Sequence, residues 1–211
     1  MTTNPSTISI DYVSGDGLPE GDPRWAFAHA AQVLRAVTDQ VTEENAPTPT
    51  PCGDWSVGEV AGHLIAVLDR VVLAPSGEDI LSLPVLVPTP VADLPAAVDS
   101  RVEAAREAWT DPATLSTMIN VPWGTVPGVA ALATWTSEVL THSWDIATTL
   151  GVNLNWPPET AALADAMIAT LPAEHRGGDT PFDPAVPVPD DAPAIDRLVG
   201  WSGRNPARAA G

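Results

Sequence analysis

The segment SEVLTHSWDIATTLG, residues 137–151, sets Glu138, His142 and Asp145 three or four positions apart within an apolar and aromatic pattern. Residues four apart on a helix lie about 40° apart around its axis, one turn from each other. Glu138 and His142 therefore project in nearly the same direction and offer one oxygen and one nitrogen. That combination suits zinc and other borderline divalent metals, but two ligands alone hold a metal weakly. A third has to come from another element. Of the remaining histidines, His63 flanks the apolar stripe of its own helical segment, near Val60 and Val67, and is the best placed. His29 falls roughly opposite the apolar face of its segment, and His175 lies in a Gly-rich stretch; both read as surface residues. A His, Glu, His set from two helices would leave a coordination position open, the mark of a catalytic rather than a structural site. The same spacing also serves ordinary acid–histidine pairs on a helix face, and the residues alone leave both readings open.

Other residues carry weaker signals. Asp145, three positions beyond His142, can accept a ligand's N–H and so fix the imidazole tautomer, or act as a base near the metal. A bond to a solvent-facing arginine is the plainer alternative. Cys52 lies four residues before Ser56, a helix N-cap by its pattern, where a thiol can have a depressed pKa. A buried structural cysteine is the commoner case. Some of the eight tryptophans could wall a pocket for an apolar or sugar-bearing ligand, although most serve as core and loop anchors. Arg176 and Arg204 could attract a carboxylate, as any surface arginine could. No glycine-rich phosphate loop is present, and nothing singles out a serine for a Ser-His-Asp arrangement.

The elements that must position these residues are helices separated by prolines. Asp22-Pro23 caps and opens a first helix whose stripe is Phe27, Ala30, Ala31, Leu34, Val37 and Val41. Ser56 and Glu59 form a capping box for a second, with Val57, Val60, Ala61, Leu64, Val67, Leu68 and Val71 facing inward. Thr89-Pro90 opens a third, carrying Leu94, Ala97, Val98, Val102, Ala105 and Trp109. Residues 111–126 turn irregular or briefly extended; Pro127 opens the fourth helix, and Gly151 is placed to end it. On that helix Leu132, Trp135, Val139, Ile146 and Leu150 form the apolar side, with Glu138, His142 and Asp145 along its border. A fifth helix spans about Pro157 to Leu171, and a short one lies near Ala192 to Trp201 within a Pro-rich tail. The tail has enough apolar content, including Phe182, Val186, Val188, Ile195, Leu198 and Trp201, to pack on the rest. Four long amphipathic segments with little strand signal predict an all-α antiparallel four-helix bundle with unequal connections.

Composition narrows the partners. The 27 acidic residues against nine arginines and no lysine give a formal charge of −18, which repels phosphate backbones and anionic lipid alike, so no nucleic-acid or membrane partner is expected. The single cysteine excludes an intramolecular disulfide framework and makes a reducing, cytoplasmic setting the default. Residues 1–22 lack the basic start and apolar centre of a secretory signal, and no run of about 18 apolar residues occurs.

The segment TPCGDWSVGEVAGHL, residues 50–64, together with WTSEVLTHSWDIATTLG, residues 135–151, resembles the DinB-like superfamily. More specifically, it resembles the N-terminal domain family of mycothiol-dependent maleylpyruvate isomerase, in its uncharacterised metal-binding branch. DPRWAFAHA, VPWGTVPG, LPAEHRGG and the ending VPDDAPAIDRLVGWSGRNP add to the likeness, which runs from about residue 22 over nearly the whole chain. The resemblance implies a DinB-like bundle that binds a divalent metal, usually zinc, with nickel or iron as alternatives. The histidine of the family's W…H block falls on His63, and the acid and histidine of its E-x-x-x-H-x-W-D block fall on Glu138 and His142. These are the three residues that spacing selects. The resemblance further implies that the thiol of mycothiol, a bacterial counterpart of glutathione, is placed on the metal. The family's isomerase carries a further C-terminal domain that contributes to substrate binding, whereas a short tail of a different kind follows the bundle here. Metal binding therefore carries over better than maleylpyruvate as substrate.

The resulting expectation is an N-terminal extension over residues 1–22, a bundle over 23–173 with an additional helix, and a tail over 174–211 packed on it. The function expected is that of a metal-dependent enzyme, monomeric or homodimeric, using mycothiol on a small electrophile. A non-catalytic, stress-related metal or small-ligand binding protein and a metal-dependent hydrolase are the alternatives.

Overall fold

Four helices form the frame, and each begins where its sequence supplies a start. The computed structural model describes residues 6–12, 17–19, 21–171 and 183–208, so His175, Arg176 and Phe182 lie outside the described residues. Helix α1 (Pro23–Thr38) opens with Asp22 accepting the Arg24 N–H, and α2 (Val57–Leu73) opens on the Ser56–Glu59 capping box. A 3-10 turn at Val91–Asp93 delays α3 (Leu94–Ala108) beyond Pro90. Helix α4 (Gly128–Leu150) follows Pro127 and ends at Gly151, whose φ of 64° is the left-handed C-terminal conformation that glycine adopts without a Cβ penalty. Helices α5 (Thr160–Thr170) and α6 (Ala194–Trp201) pack on each other and on α4.

Helix α1 packs against α4 and α3, and α2 packs against α3 and α4. Chain neighbours α1 and α2 are thus diagonal partners, as are α3 and α4. The predicted stripes make the core: Leu34, Val37, Val60, Leu64, Leu68, Leu94, Val98 and Leu132 are buried. Each such side chain contributes about 1.5–3 kcal/mol of apolar burial. Trp109 closes the end of α3, donating its indole N–H to the Val71 carbonyl at 2.8 Å.

Two short ladders supplement the helices. Strands β2 (Met118–Val121) and β3 (Gly124–Pro127) form an antiparallel hairpin with Trp123 in its turn, in the region expected to be irregular or briefly extended. Strand β1 (Ser6–Ile8), from the N-terminal extension, pairs in parallel with β4 (Val152–Leu154) just beyond α4. Asn155 reinforces this pairing, accepting the Ile10 N–H at 2.7 Å and donating to the Ile10 carbonyl at 2.8 Å. Among the described residues no helix is long and apolar enough to cross a membrane.

Helix α4 is the centre of the molecule rather than one wall of it. Between Trp135 and Ala147 every residue except Glu138 is buried. The polar edge expected at the border of an apolar stripe is therefore an interior face, because α5, α6 and the chain around them cover it. Small hydroxyl residues make this tolerable: Thr136 bonds the Leu132 carbonyl and Ser137 that of Thr134, each at 2.7 Å.

Candidate metal centre

Helices α2 and α4 bring His63, Glu138 and His142 together, with one ligand atom from each lying within 4.8 Å of the others. His63 Nε2 is 3.0 Å from Glu138 Oε1, and the two imidazoles stand edge to face with centroids 4.8 Å apart. Trp55 covers both rings, at 4.9 Å from His63 and 6.4 Å from His142. The turn before α2 holds Trp55 there: its carbonyl accepts both the N–H and the hydroxyl of Thr50.

The outer nitrogen of each imidazole is already committed. His63 Nδ1 lies 2.7 Å from the Val85 carbonyl, which only accepts, so Nδ1 carries the proton. Gly62 makes that contact available. A Cβ there would sit 2.8 Å from the Val87 carbonyl oxygen, so only glycine lets the loop after α2 cross so close to the helix. His142 Nδ1 lies 3.0 Å from Asp145 Oδ2 and donates to it. Both histidines are left with Nε2 as the nitrogen available to a ligand. His63 Nε2 lies 3.0 Å from a Glu138 oxygen, a contact that a shared proton or another cation bridges. Two imidazoles fixed from behind and one carboxylate form a donor set that fits a divalent ion of zinc's type.

The electrostatics agree with this. Partial burial by itself would raise the Glu138 pKa, but the hydrogen bond and charge of His63, with help from His142 and Arg70, hold it below the usual carboxylate value. Burial lowers the His142 pKa, and His63 and Arg204 push the same way against the pull of Asp145. His142 is thereby kept neutral, the form that ligates metals. Asp145 is fully buried, and despite that burial its bonds to His142 and Arg204 keep its pKa low.

Arg204 is no surface arginine. It reaches Asp145 from the segment after α6, with Nε 3.2 Å from Oδ1 and Nη2 2.9 Å from Oδ2, and its side chain is 11% exposed. A cavity of about 310 Å³ opens above the cluster, and Trp55, Trp123, Trp201, Thr134 and Thr141 contribute to its walls. Cys52 also lines it, and with His142 and Asp145 forms a second, overlapping donor group. Its thiol is not activated: burial pushes its pKa up and outweighs the pull of Arg204, so proximity to the α2 N-terminus does not decide its state.

His29 corrects another expectation. It is buried rather than exposed, with Nδ1 2.9 Å from Glu159 Oε2 and its ring beside Tyr12 and Trp25. Helix periodicity identified the side of α1 facing away from the bundle, but not the N-terminal segment and the turn before α5 that cover it. Val85, which fixes His63, acts through its backbone carbonyl and leaves no side-chain signal in the sequence.

Fold and site together define a DinB-like four-helix bundle with a His–Glu–His donor set between two of its helices. Residues 27–147 match the family described as mycothiol maleylpyruvate isomerase N-terminal domain, and the chain belongs to that family. Two uncharacterised proteins from different strains of Mycobacterium tuberculosis are each 30% identical to it over 185 residues, 87% of this chain and 98% of theirs. Among solved structures, the mycothiol-dependent maleylpyruvate isomerase aligns at 18% identity and a TM-score of 0.49, covering 74% of this chain and 69% of its own. A histidine-to-alanine mutant of that isomerase aligns over the same shares and at the same identity with a TM-score of 0.50, a likeness of fold.

Proposed function

We propose that this protein is a metal-dependent enzyme that uses a low-molecular-weight thiol, mycothiol, to isomerise a small electrophile or to add to it. His63, Glu138 and His142 hold one divalent ion, zinc being the best match to two imidazoles and a carboxylate. The observation that carries this reading is the commitment of both Nδ1 atoms to acceptors, which leaves two Nε2 atoms and Glu138 as the donor set beneath the cavity. When bound, the ion lowers the pKa of a thiol and holds it as the nucleophilic thiolate.

The chain's own residues supply the rest. Trp55 packs beside the two imidazoles and forms an apolar wall of the cluster. Trp123 and Trp201 offer flat apolar walls, while Thr134, Ser137 and Thr141 line the cavity with hydroxyls for a polar ligand. Asp145 is too enclosed to be a base, since both its oxygens are engaged by Arg204 and His142; it positions His142. For a substrate with an activated double bond, addition of the thiol, rotation about the new single bond and loss of the thiol complete an isomerisation without consuming it.

A thiol-consumption and product assay with mycothiol and a panel of electrophiles tests this, run on the zinc-loaded protein and on His142→Ala. Turnover by the first and none by the second is the expected result. Tight thiol binding without turnover of any electrophile would favour a binding protein instead.

A further inference from the structure

We propose that Arg204 is a positioning residue of the metal centre, acting through Asp145 to fix the tautomer of His142. The inference rests on the metal-dependent reading of the same site and adds the segment after α6 to its machinery. Asp145 has no solvent exposure and three hydrogen-bonded contacts: His142 Nδ1 at 3.0 Å, Arg204 Nη2 at 2.9 Å and Arg204 Nε at 3.2 Å. The guanidinium holds both carboxylate oxygens, which fixes the plane of the carboxylate and the direction in which Oδ2 faces His142. With the carboxylate oxygen held against it, Nδ1 is the ring nitrogen engaged by Asp145, and Nε2 is the one turned to the donor set. Without the bidentate anchor the carboxylate can turn away from Nδ1, and the imidazole loses the contact that orients it. Arg204, which reaches Asp145 at 2.9 Å and lies 3.5 Å from His142 Nδ1 itself, thus holds the carboxylate that orients His142.

The fold holds Arg204 for this task. Leu198 and Val199 of α6 are buried, and Trp201 donates its indole N–H to the Leu171 carbonyl at 2.9 Å. The chain then turns so that the Arg204 N–H bonds the Val199 carbonyl at 2.9 Å and its Nη1 bonds the Ser202 carbonyl at 3.0 Å. The guanidinium is thereby aimed at α4 with two nitrogens opposite the two Asp145 oxygens, a bidentate match that a lysine cannot reproduce. On this account the C-terminal segment completes the centre.

The test pairs ¹⁵N spectra of the histidine rings in metal-free protein with zinc affinity measured against a competing chelator. Wild type, Arg204→Gln, Arg204→Lys and the double variant Arg204→Gln/Asp145→Asn are compared. Wild type should show His142 with the proton on Nδ1. Arg204→Gln should lose that single tautomer and bind zinc roughly 10–100-fold more weakly. Arg204→Lys, which loses the bidentate contact, should fall between wild type and Arg204→Gln, and the double variant, which leaves no buried charge unpaired, should bind zinc no more weakly than Arg204→Gln. An unchanged tautomer and unchanged affinity in folded Arg204→Gln, or in the double variant should the single one not fold, would overturn the proposal. A tautomer that follows Arg204 in a wild-type protein that binds no zinc would refute the metal reading while upholding the positioning role.

Discussion

Three histidine–carboxylate contacts lie in the interior among the described residues, and two of them join separate elements at nearly equal distances. His29 Nδ1 meets Glu159 at 2.9 Å, and His63 Nε2 meets Glu138 at 3.0 Å. The surroundings separate them. Around His29 stand Tyr12 and Trp25, and Tyr12 has its phenol pKa raised by burial and by the charge of Glu159. No third metal-ligating group joins that pair among the described residues. Around His63 a backbone carbonyl fixes the far nitrogen, and a second imidazole, itself fixed by Asp145, completes a three-donor set. A buried acid–histidine contact is therefore no sign of a metal centre. The sign is that several groups have their outer atoms tied down and their lone pairs turned to one point.

The largest effects should fall on one side of this comparison. His63→Ala, Glu138→Ala or His142→Ala should each abolish stoichiometric zinc by elemental analysis of the dialysed protein, whereas His29→Ala should retain it. Loss of zinc from His29→Ala would dissolve the distinction. Asp145→Asn should weaken zinc affinity roughly 10–100-fold, while Glu159→Gln leaves it unchanged, as read by chelator competition. The His29 side should instead show in stability: His29→Ala is expected to cost on the order of 1–3 kcal/mol in urea unfolding of the metal-free protein.

Acid should discriminate as well. Glu138, Asp145 and His142 all have folded-state pKa values below their ordinary ones. Groups shifted down contribute stability that is present above the unfolded pKa and lost as pH falls through the folded one. The melting temperature of the metal-free protein should start to fall below about pH 6.5, the unfolded histidine value, and fall further below about pH 4, where carboxylates protonate. His142→Ala should flatten the first part; a flat wild-type profile from pH 7 to 5 would contradict the His142 contribution. The smallest change is expected from Cys52→Ser, which should leave zinc content intact. The wild-type thiol, with its raised pKa, should react with a disulfide reagent at pH 8 more slowly than a free thiol does.

Helix spacing carried the reading of the site as far as spacing reaches. It selected Glu138 and His142 on one helix and His63 on another, and the structure brings these three together. It placed Asp145 beside His142, but the cation opposite it comes from Arg204, 59 positions further along. Such a partner has no periodic relation to α4. His29 was misplaced for a related reason: a helix pattern shows which side faces the bundle, not what a distant segment lays over the other side. The parallel pairing of β1 with β4 joins residues more than 140 positions apart through backbone bonds, which leave little trace in three-residue strands. Four amphipathic segments pointed to the four-helix bundle, and the resemblance in TPCGDWSVGEVAGHL and WTSEVLTHSWDIATTLG to its DinB-like class; the contacts that commit both Nδ1 atoms are visible only in the structure.

The central claim is that His63, Glu138 and His142 hold one divalent ion. A calorimetric titration of zinc into metal-free wild-type protein, beside the His63→Ala/Glu138→Ala/His142→Ala triple variant, addresses it most directly. The account predicts one tightly bound ion per wild-type chain and none in the triple variant. Equal stoichiometric binding by both, or no tight binding by the wild type, would contradict it.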